Sequence, residues 1–485
     1  MLDATVAPLI EGVLATSESE SVLAVVNPSS GQRLPSIPAG CEADVERAVK
    51  STSQAFEDGR WSDAPPSLRK KTLHGWADLI ASEATALDLL DAVEMGKPVS
   101  EAFCNAAGAA ALVRFFAEAV DKTVGDVYVS DKHSLVMQRR VPRGVVAAVV
   151  PWNFPVFNAV LKLAPALAAG NCVVLKPSEL SSRSAMRLAH LALRAGLPPG
   201  VLNVVPGAGE TVGRALALHR DVDMVAFTGS TEVGKRMLQY AGQSNMKVVM
   251  AECGGKSPQI VFDDGLDLDA VTDAIAKMLL VNQGQICSVG SRLLVQRSIE
   301  DEVVEKVVRK LADHVMGDAR DTKTTFGPVA SAEQCARIMK YIESAPADGA
   351  QLLTGGRRVR LESGGYFVEP TVFRAAPTIR IAQEEIFGPV LSVIAFQDEA
   401  EAIRIANDTM YGLVAYVWTS DLSTGLRMAR RVRSSTFINA TPPLGEGAGH
   451  AFSAEPYAQS GIGAEGGMAG MESYLRRQLV WFNHP

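Results

Sequence analysis

From Glu42 to Ala119 apolar residues recur at three- and four-residue spacing with charges between them, which predicts helices over Ala43 to Phe56 and Ser67 to Leu90. The period changes at Gly125. Through to Arg143, Val127, Val129, Leu135, Met137 and Val141 alternate with polar residues, the pattern of a hairpin with a half-exposed face. A third texture begins with the continuous apolar run Val145 to Val150. A helical pattern, Val156 to Ala169, follows, then the apolar run Cys172 to Leu175, a helix from Ser182 to Ala195, the run Val201 to Val205, a further helix and the run Met224 to Phe227. Another helix opens at Thr231. Short buried strands alternating with helices predict βαβ units on a parallel sheet. A second alternating region extends from Ser257 to about Asn439, with strands at Gln259 to Phe262, Ser291 to Gln296, Val390 to Phe396 and Leu413 to Trp418, and a helix at Ile299 to Val315. Tyr474 to Trp481 reads as a final strand. No internal repeat, low-complexity tract or long linker interrupts this order.

Composition changes the picture little. A chain of 485 residues is too long for one core and predicts roughly two to four domains. Apolar and charged contents of 47% and 21% are those of an ordinary soluble protein, and a net charge of -7 argues against a nucleic-acid surface. The six cysteines include no close-spaced pair, and the seven histidines are scattered, so neither a disulfide framework nor a metal site is expected. Met1 to Ala4 carries no basic residue and the apolar run Val6 to Leu14 is broken by Pro8 and Glu11, unlike a signal peptide. The longest apolar runs fall far short of a membrane span. A cytoplasmic protein with reduced thiols is the expectation.

Candidate chemistry collects where the apolar runs end, which in a parallel sheet is where ligands bind. Pro151-Trp152-Asn153-Phe154-Pro155 holds an amide donor in a turn fixed by two prolines, suited to a developing oxyanion. Lys176 could reach a ribose or adenine and Glu179 could accept from a ribose diol, although in isolation the tetrapeptide reads better as an ordinary charged loop. In Phe227 to Gly234, Gly229 turns the chain into a helix whose free N–H groups can meet a phosphate; Ser230 or Thr231 alone would read as an ordinary cap. By contrast Gly207 to Gly213 places its third glycine one residue late for a dinucleotide fingerprint and reads as a turn before a helix. Glu252 ends an apolar run beside Gly254 and Gly255, where desolvation would raise it toward a general base; pairing with Lys256 is the alternative. Cys287 follows Asn282-Gln283-Gly284-Gln285 where a helix gives way to irregular chain, a setting that exposes a thiol. The other cysteines keep different company, Cys104 and Cys335 falling within helical patterns.

Together these motifs closely resemble the aldehyde dehydrogenase superfamily, and they run in the family's order: Pro151 to Pro155, Lys176 to Glu179, Phe227 to Gly234, Glu252 to Pro258, Gly284 to Cys287 and Glu384-Glu385-Ile386-Phe387-Gly388-Pro389. The likeness spans about Asn27 to Trp481. It implies an α/β fold with two Rossmann-type parallel-sheet domains and a small β oligomerisation element. The cofactor-binding domain would comprise residues 1–124 and 144–254, the catalytic domain 255–455, and the oligomerisation element 125–143 and 468–485. By position Cys287 matches the nucleophile, Glu252 the base and Asn153 the oxyanion donor. Trp152 and Ser230 match the pyrophosphate site, Lys176 and Glu179 the adenosine ribose, and Glu385 and Phe387 the nicotinamide ribose and ring. A carboxylate at Glu179 favours NAD over NADP. Phe154, Leu161 and Phe452 suggest an apolar tunnel for an aromatic or medium aliphatic aldehyde.

The implied reaction is attack by Cys287, hydride transfer to leave a thioester, and hydrolysis assisted by Glu252, in a homodimer or homotetramer with neither nucleic-acid nor membrane partners. Two rivals remain: transfer of the acyl group to coenzyme A, which would not need Glu252, and cofactor binding without turnover. Departures lie at Cys253, where the family usually has an apolar residue, and in Ala451 to Gly461 with Gly463-Ala464-Glu465. There two residues are inserted, and Ala458 and Ala464 replace the usual Lys and Arg.

Overall fold

In the strands Val145–Val149 and Cys172–Lys176 every residue is buried, because successive side chains enter two different cores. Val146 and Ala148 join the core that contains Trp61, Trp76 and Phe116; Val145, Ala147 and Val149 join another containing Val49, Leu216 and Phe227. The computed structural model describes residues 7–441 and 452–483, and these two strands sit at the centre of its larger, eight-stranded sheet. On one side lie Leu202–Val204 and the short N-terminal strands; on the other lie Met224–Thr228, Val248–Glu252 and Gly461–Ile462.

The five central strands are parallel, with Val149 opposite Lys176 and Phe227, and Thr228 opposite Glu252, so their carboxyl ends align. Strand order reverses between Val145–Val149 and Met224–Thr228. That reversal opens a crevice beyond their carboxyl ends. Residues 253–257 carry the chain into a second, seven-stranded sheet in which Pro258–Val261 pairs in parallel with Arg292–Gln296 and Val414–Trp418. Thr371–Arg374, Val390–Phe396 and Ser435–Ile438 extend it in parallel, and Gln351–Thr354 closes one edge antiparallel.

A third sheet is made of Asp126–Tyr128, Ser134–Pro142 and Leu475–Asn483, all antiparallel. The alternation in 125–143 predicts one covered face, yet the Asp126–Tyr128 strand is exposed throughout, as are Trp481 and Phe482. Among the described residues no helix is long and apolar enough to cross a membrane.

Three elements differ from the sequence reading. Ser67 to Leu90 is two helices, Pro66–Ser82 and Ala84–Met95, broken at Glu83, whose carboxylate receives Arg187 and Arg194. Cys104 lies in a turn at φ 51° rather than in a helix, because Asn105 caps the helix Ala106–Ala119 from outside. The helix expected to reach Val315 is Glu300–Leu311; the Val315 carbonyl instead accepts from the Thr325 and Phe326 amides.

One buried ion pair ties the helix Ala84–Met95 to the helix Arg183–Arg194. Arg183 Nη1 lies 2.5 Å from Glu94 Oε1, and Glu94 Oε2 accepts from the Arg183 amide at 3.0 Å. Arg183→Leu would leave Glu94 buried and unpaired, so denaturant unfolding should show a loss of about 3–5 kcal/mol. An unchanged unfolding midpoint and slope would contradict that.

Candidate active site

The helix Leu268–Leu280 stops because Asn282, Gln283 and Gly284 take positive φ angles of 45°, 56° and 69° in succession. For Asn and Gln this strain is roughly 1–3 kcal/mol each and needs external support. It has that support: Asn282 Nδ2 donates to the Asn153 carbonyl at 2.7 Å, Gln285 Nε2 to the Asn282 carbonyl at 3.0 Å, and the Ala330 amide to Gln285 Oε1 at 2.9 Å. Glycine is required on two sides of the loop that follows. A Cβ on Gly284 would come within 2.5 Å of the Gly388 carbonyl, and one on Gly255 within 2.3 Å of the Cys287 carbonyl. These contacts fix Cys287 at the wall of a cavity of about 320 Å³, beyond the carboxyl ends of the first sheet.

Asn153 leaves the Val145–Val149 strand just before Pro155 starts the helix Pro155–Ala168. Its Nδ2 donates to the Gln285 carbonyl at 2.9 Å, and its Oδ1 accepts from Asn158 Nδ2 at 3.1 Å. One hydrogen on Asn153 Nδ2 stays free, and the Cys287 amide has no acceptor among the described residues.

Glu252 ends its strand with Oε1 buried and unpartnered, and Lys256 Nζ is likewise unpartnered among the described residues. The two are therefore not paired. Burial, and next the Glu465 carboxylate, push the Glu252 carboxyl well above its usual range, with Lys162 opposing. Lys162 is buried and ion-paired to Glu465. Burial, then Glu385, Glu252 and Glu465, push the Cys287 thiol up to about 12.

Glu385 reaches across from the second sheet's side and accepts the Gly255 amide at 3.0 Å, while burial raises its carboxyl to about 7. Phe387, at φ 59°, sets its ring edge-on to Trp152 with centroids 5.3 Å apart. Ser230 caps the helix Thr231–Gln243 through the Val233 amide. The cavity thus gathers Trp152, Asn153, Phe154, Leu161, Ser230, Glu252, Cys287, Glu385 and Phe387.

Three expected residues stand apart. Lys176 and Glu179 are off this cavity, at the carboxyl end of the Cys172–Lys176 strand, paired at 2.9 Å. Burial raises the Glu179 carboxyl, but Lys176 and a hydrogen bond from the residue's own backbone amide together outweigh it and hold the group below its usual value. Phe452 is half exposed and packs edge-on against Phe437 instead of lining the cavity. Residues 442–451, where the altered loop begins, lie outside the described residues. In the described part of that loop Gly461 pairs with Glu252 at the edge of the eight-stranded sheet, and Ala458 pairs with Tyr411 in a separate two-stranded ladder just before the second-sheet strand Val414–Trp418. Buried Ser460 donates to the Gly254 carbonyl at 2.7 Å and accepts the Gly412 amide at 2.9 Å.

Sequence reasoning missed Phe103, Cys104, Phe157, Asn158, Arg337 and Glu465, all on the cavity wall. A signal existed for two of them. Phe154, Phe157, Asn158 and Leu161 follow a three-and-four spacing, one face of the helix. Glu465 could not be found that way, since its partner Lys162 is 303 residues distant.

The aldehyde dehydrogenase family model matches residues 14–480. The chain belongs to the aldehyde dehydrogenase family. It is 41% identical over 483 residues to the NADP/NAD-dependent aldehyde dehydrogenase PuuC of Escherichia coli (strain K12), covering 98% of this chain and 95% of that one. An indole-3-acetaldehyde dehydrogenase solved with NAD+ superposes with a TM-score of 0.95 at 43% identity, over 99% of this chain and 96% of that one. A γ-glutamyl-γ-aminobutyraldehyde dehydrogenase from Burkholderia cenocepacia J2315 matches with the same score at 44% identity, over 99% and 97%. This aldehyde dehydrogenase is an NAD(P)-dependent oxidoreductase with the family's α/β fold, acting on small-molecule aldehydes. Its own residues fit such a dinucleotide. The switch-point crevice, the capped start of Thr231–Gln243, the unpartnered buried Thr228 hydroxyl and the edge-on Trp152 and Phe387 rings offer anion, polar and aromatic contacts together.

Proposed function

We propose that this enzyme converts apolar aromatic or medium aliphatic aldehydes to carboxylic acids by a thioester route, with Cys287 as nucleophile, Asn153 as oxyanion donor and Glu252 as general base. The observation that carries this reading is the convergence of all three on one cavity, with Glu252 Oε1 buried and unpartnered. Bound NAD supplies a hydride acceptor and, in its oxidised form, a positive charge against the surrounding carboxylates. Cys287 gives up its thiol proton to solvent as the sulfur adds to the aldehyde carbon, and the resulting oxyanion accepts hydrogen bonds from the free Asn153 Nδ2–H and the Cys287 amide. Once hydride has left the carbon, a thioester remains. Glu252 removes a proton from water as its oxygen adds to the thioester, and the carbon–sulfur bond breaks to release the acid.

Trp152 and Ser230 are assigned to the pyrophosphate, Glu385 and Phe387 to the nicotinamide end, and Lys176 and Glu179 to the adenosine ribose. The Glu179 carboxylate, kept ionised by Lys176, would repel a 2′-phosphate, which supports NAD over NADP. Phe154 and Leu161, with the Phe103–Phe154 edge pair at 5.6 Å, favour an uncharged apolar substrate tail. The exposed apolar side chains of 125–143 and 475–483, Trp481 and Val127 among them, support a homo-oligomer built on the third sheet. Acting on soluble aldehydes with free thiols, the enzyme suits the cytoplasm.

The test is an aldehyde panel followed by absorbance of the reduced cofactor, with the product analysed in the absence of coenzyme A. Free acid should form, kcat/KM should be highest for apolar aldehydes, and NAD should outperform NADP. Dependence on coenzyme A, or better turnover with NADP, would contradict the corresponding assignment.

A further inference from the structure

We infer that Asn158 is a positioning residue for oxyanion stabilisation, locking the Asn153 amide so that its nitrogen faces the reacting carbon. The inference rests on the assignment of Asn153 as oxyanion donor.

The argument is one of donor and acceptor direction. The Gln285 backbone carbonyl can only accept, so the Asn153 group 2.9 Å from it must be Nδ2. Asn153 Oδ1 then lies on the far side of the amide, where it too can only accept. Asn158 answers with Nδ2 at 3.1 Å. A fixed backbone carbonyl thereby sets the orientation of both side-chain amides, and Asn158 Oδ1 is left without a donor among the described residues.

Both amides are largely buried, with Asn153 at 6% and Asn158 at 9% exposure, so bulk water has little access to these bonds. The bond to Gln285 alone would let the Asn153 amide rotate about it and let either Nδ2 hydrogen serve. The second bond, at Oδ1, fixes the plane and with it the direction of the spare hydrogen. Oxyanion donors act through such pre-set direction. The two residues are held in register by the helix Pro155–Ala168, in which the Asn158 amide donates to the Phe154 carbonyl at 2.8 Å. Asn158 therefore acts through Asn153.

The experiment is a double-mutant cycle on the holoenzyme. The readout is the single-turnover rate of NADH formation on mixing enzyme–NAD with an aldehyde, with the NAD dissociation constant measured by fluorescence quenching. Asn158→Leu, similar in size and unable to donate, should slow NADH formation about tenfold, a fraction of the loss from removing an oxyanion donor outright. Asn158→Asp, also unable to donate and facing acceptor to acceptor, should slow it at least as much, and it serves if the leucine variant does not fold. NAD affinity should not change in either. In an Asn153→Ala background the Asn158 substitution should add nothing, because the group it positions is gone. Multiplicative losses in the double variant, or a wild-type rate in both single Asn158 variants while Asn153→Ala is impaired, would overturn the inference alone. A wild-type rate in Asn153→Ala itself would overturn both this inference and the oxyanion assignment.

Discussion

Cys287→Ala should abolish aldehyde-dependent NADH formation, lowering kcat by at least about 10⁴-fold, the scale on which loss of a catalytic nucleophile is felt. The loss should be confined to chemistry. What holds the 282–287 segment is backbone and neighbouring side chains: Asn282 to the Asn153 carbonyl, Gln285 to Ala330, and Gly255 against the Cys287 carbonyl. Alanine keeps all of these, so NAD binding and the unfolding transition should be preserved. Two other thiols line the same cavity, which makes the experiment discriminating. Cys253 is buried with its sulfur against Gly234, and burial first, then Glu252, pushes it up to about 12; burial raises Cys104 further still. Burial raises Cys287 in the same way, so what sets it apart is its place: it follows Gln285, whose carbonyl holds the Asn153 amide, and neither other thiol does, so neither should substitute. A stopped-flow burst of wild-type amplitude in the alanine variant would remove Cys287 from the mechanism.

How far the sequence disclosed this arrangement depended on what each segment buries. The runs at 145–150, 172–175 and 224–227 were legible because strands covered on both faces must be continuously apolar. Val390–Phe396 was read to its ends for the same reason. Edge strands such as Gln351–Thr354, exposed or half-buried, carry no such signature and passed unread. The break at Glu83 was hidden because the apolar period continues across it; only the arginines at 187 and 194, far off in sequence, explain the carboxylate there.

The site followed a similar rule. Glu252 stands at the end of its parallel strand, and Asn153 and Ser230 just past the ends of theirs, so their meeting could be expected once the sheet was. Phe452 misled because an aromatic in a loop says nothing of which way it turns; here Phe437 takes it away from the cavity. Lys162 and Glu465 show the opposite failure. Each looks like an ordinary charged surface residue in sequence, and only the fold makes them a largely buried pair that bears on Glu252.

Glu252→Gln carries the second large expectation, because that pair and the surrounding burial have opposite consequences for catalysis and for stability. Steady-state turnover should fall by about 10²–10⁴-fold, the usual contribution of a general base. Glutamine cannot take the proton of the attacking water, so the acyl–Cys287 thioester should accumulate and be visible as added mass on the intact protein. The pH response follows from the direction of the shift. Below the ordinary glutamate range the folded and unfolded chains both carry a protonated Glu252. Above it the unfolded chain ionises freely while the folded one, its carboxyl raised by burial and by Glu465, still holds the proton. Stability therefore declines with rising pH until the folded value is passed. Over the same interval the base becomes ionised and deacylation accelerates. Wild-type turnover should accordingly rise with pH above the ordinary glutamate range as the melting temperature slips. Glu252→Gln should lose the rise in turnover and melt higher than wild type under those conditions, because nothing buried is left to ionise. Acid release at the wild-type rate from the glutamine variant would end the assignment of Glu252 as base. A wild-type melting temperature indifferent to pH, alongside an unchanged one in the variant, would show that its carboxyl is not held neutral in the fold.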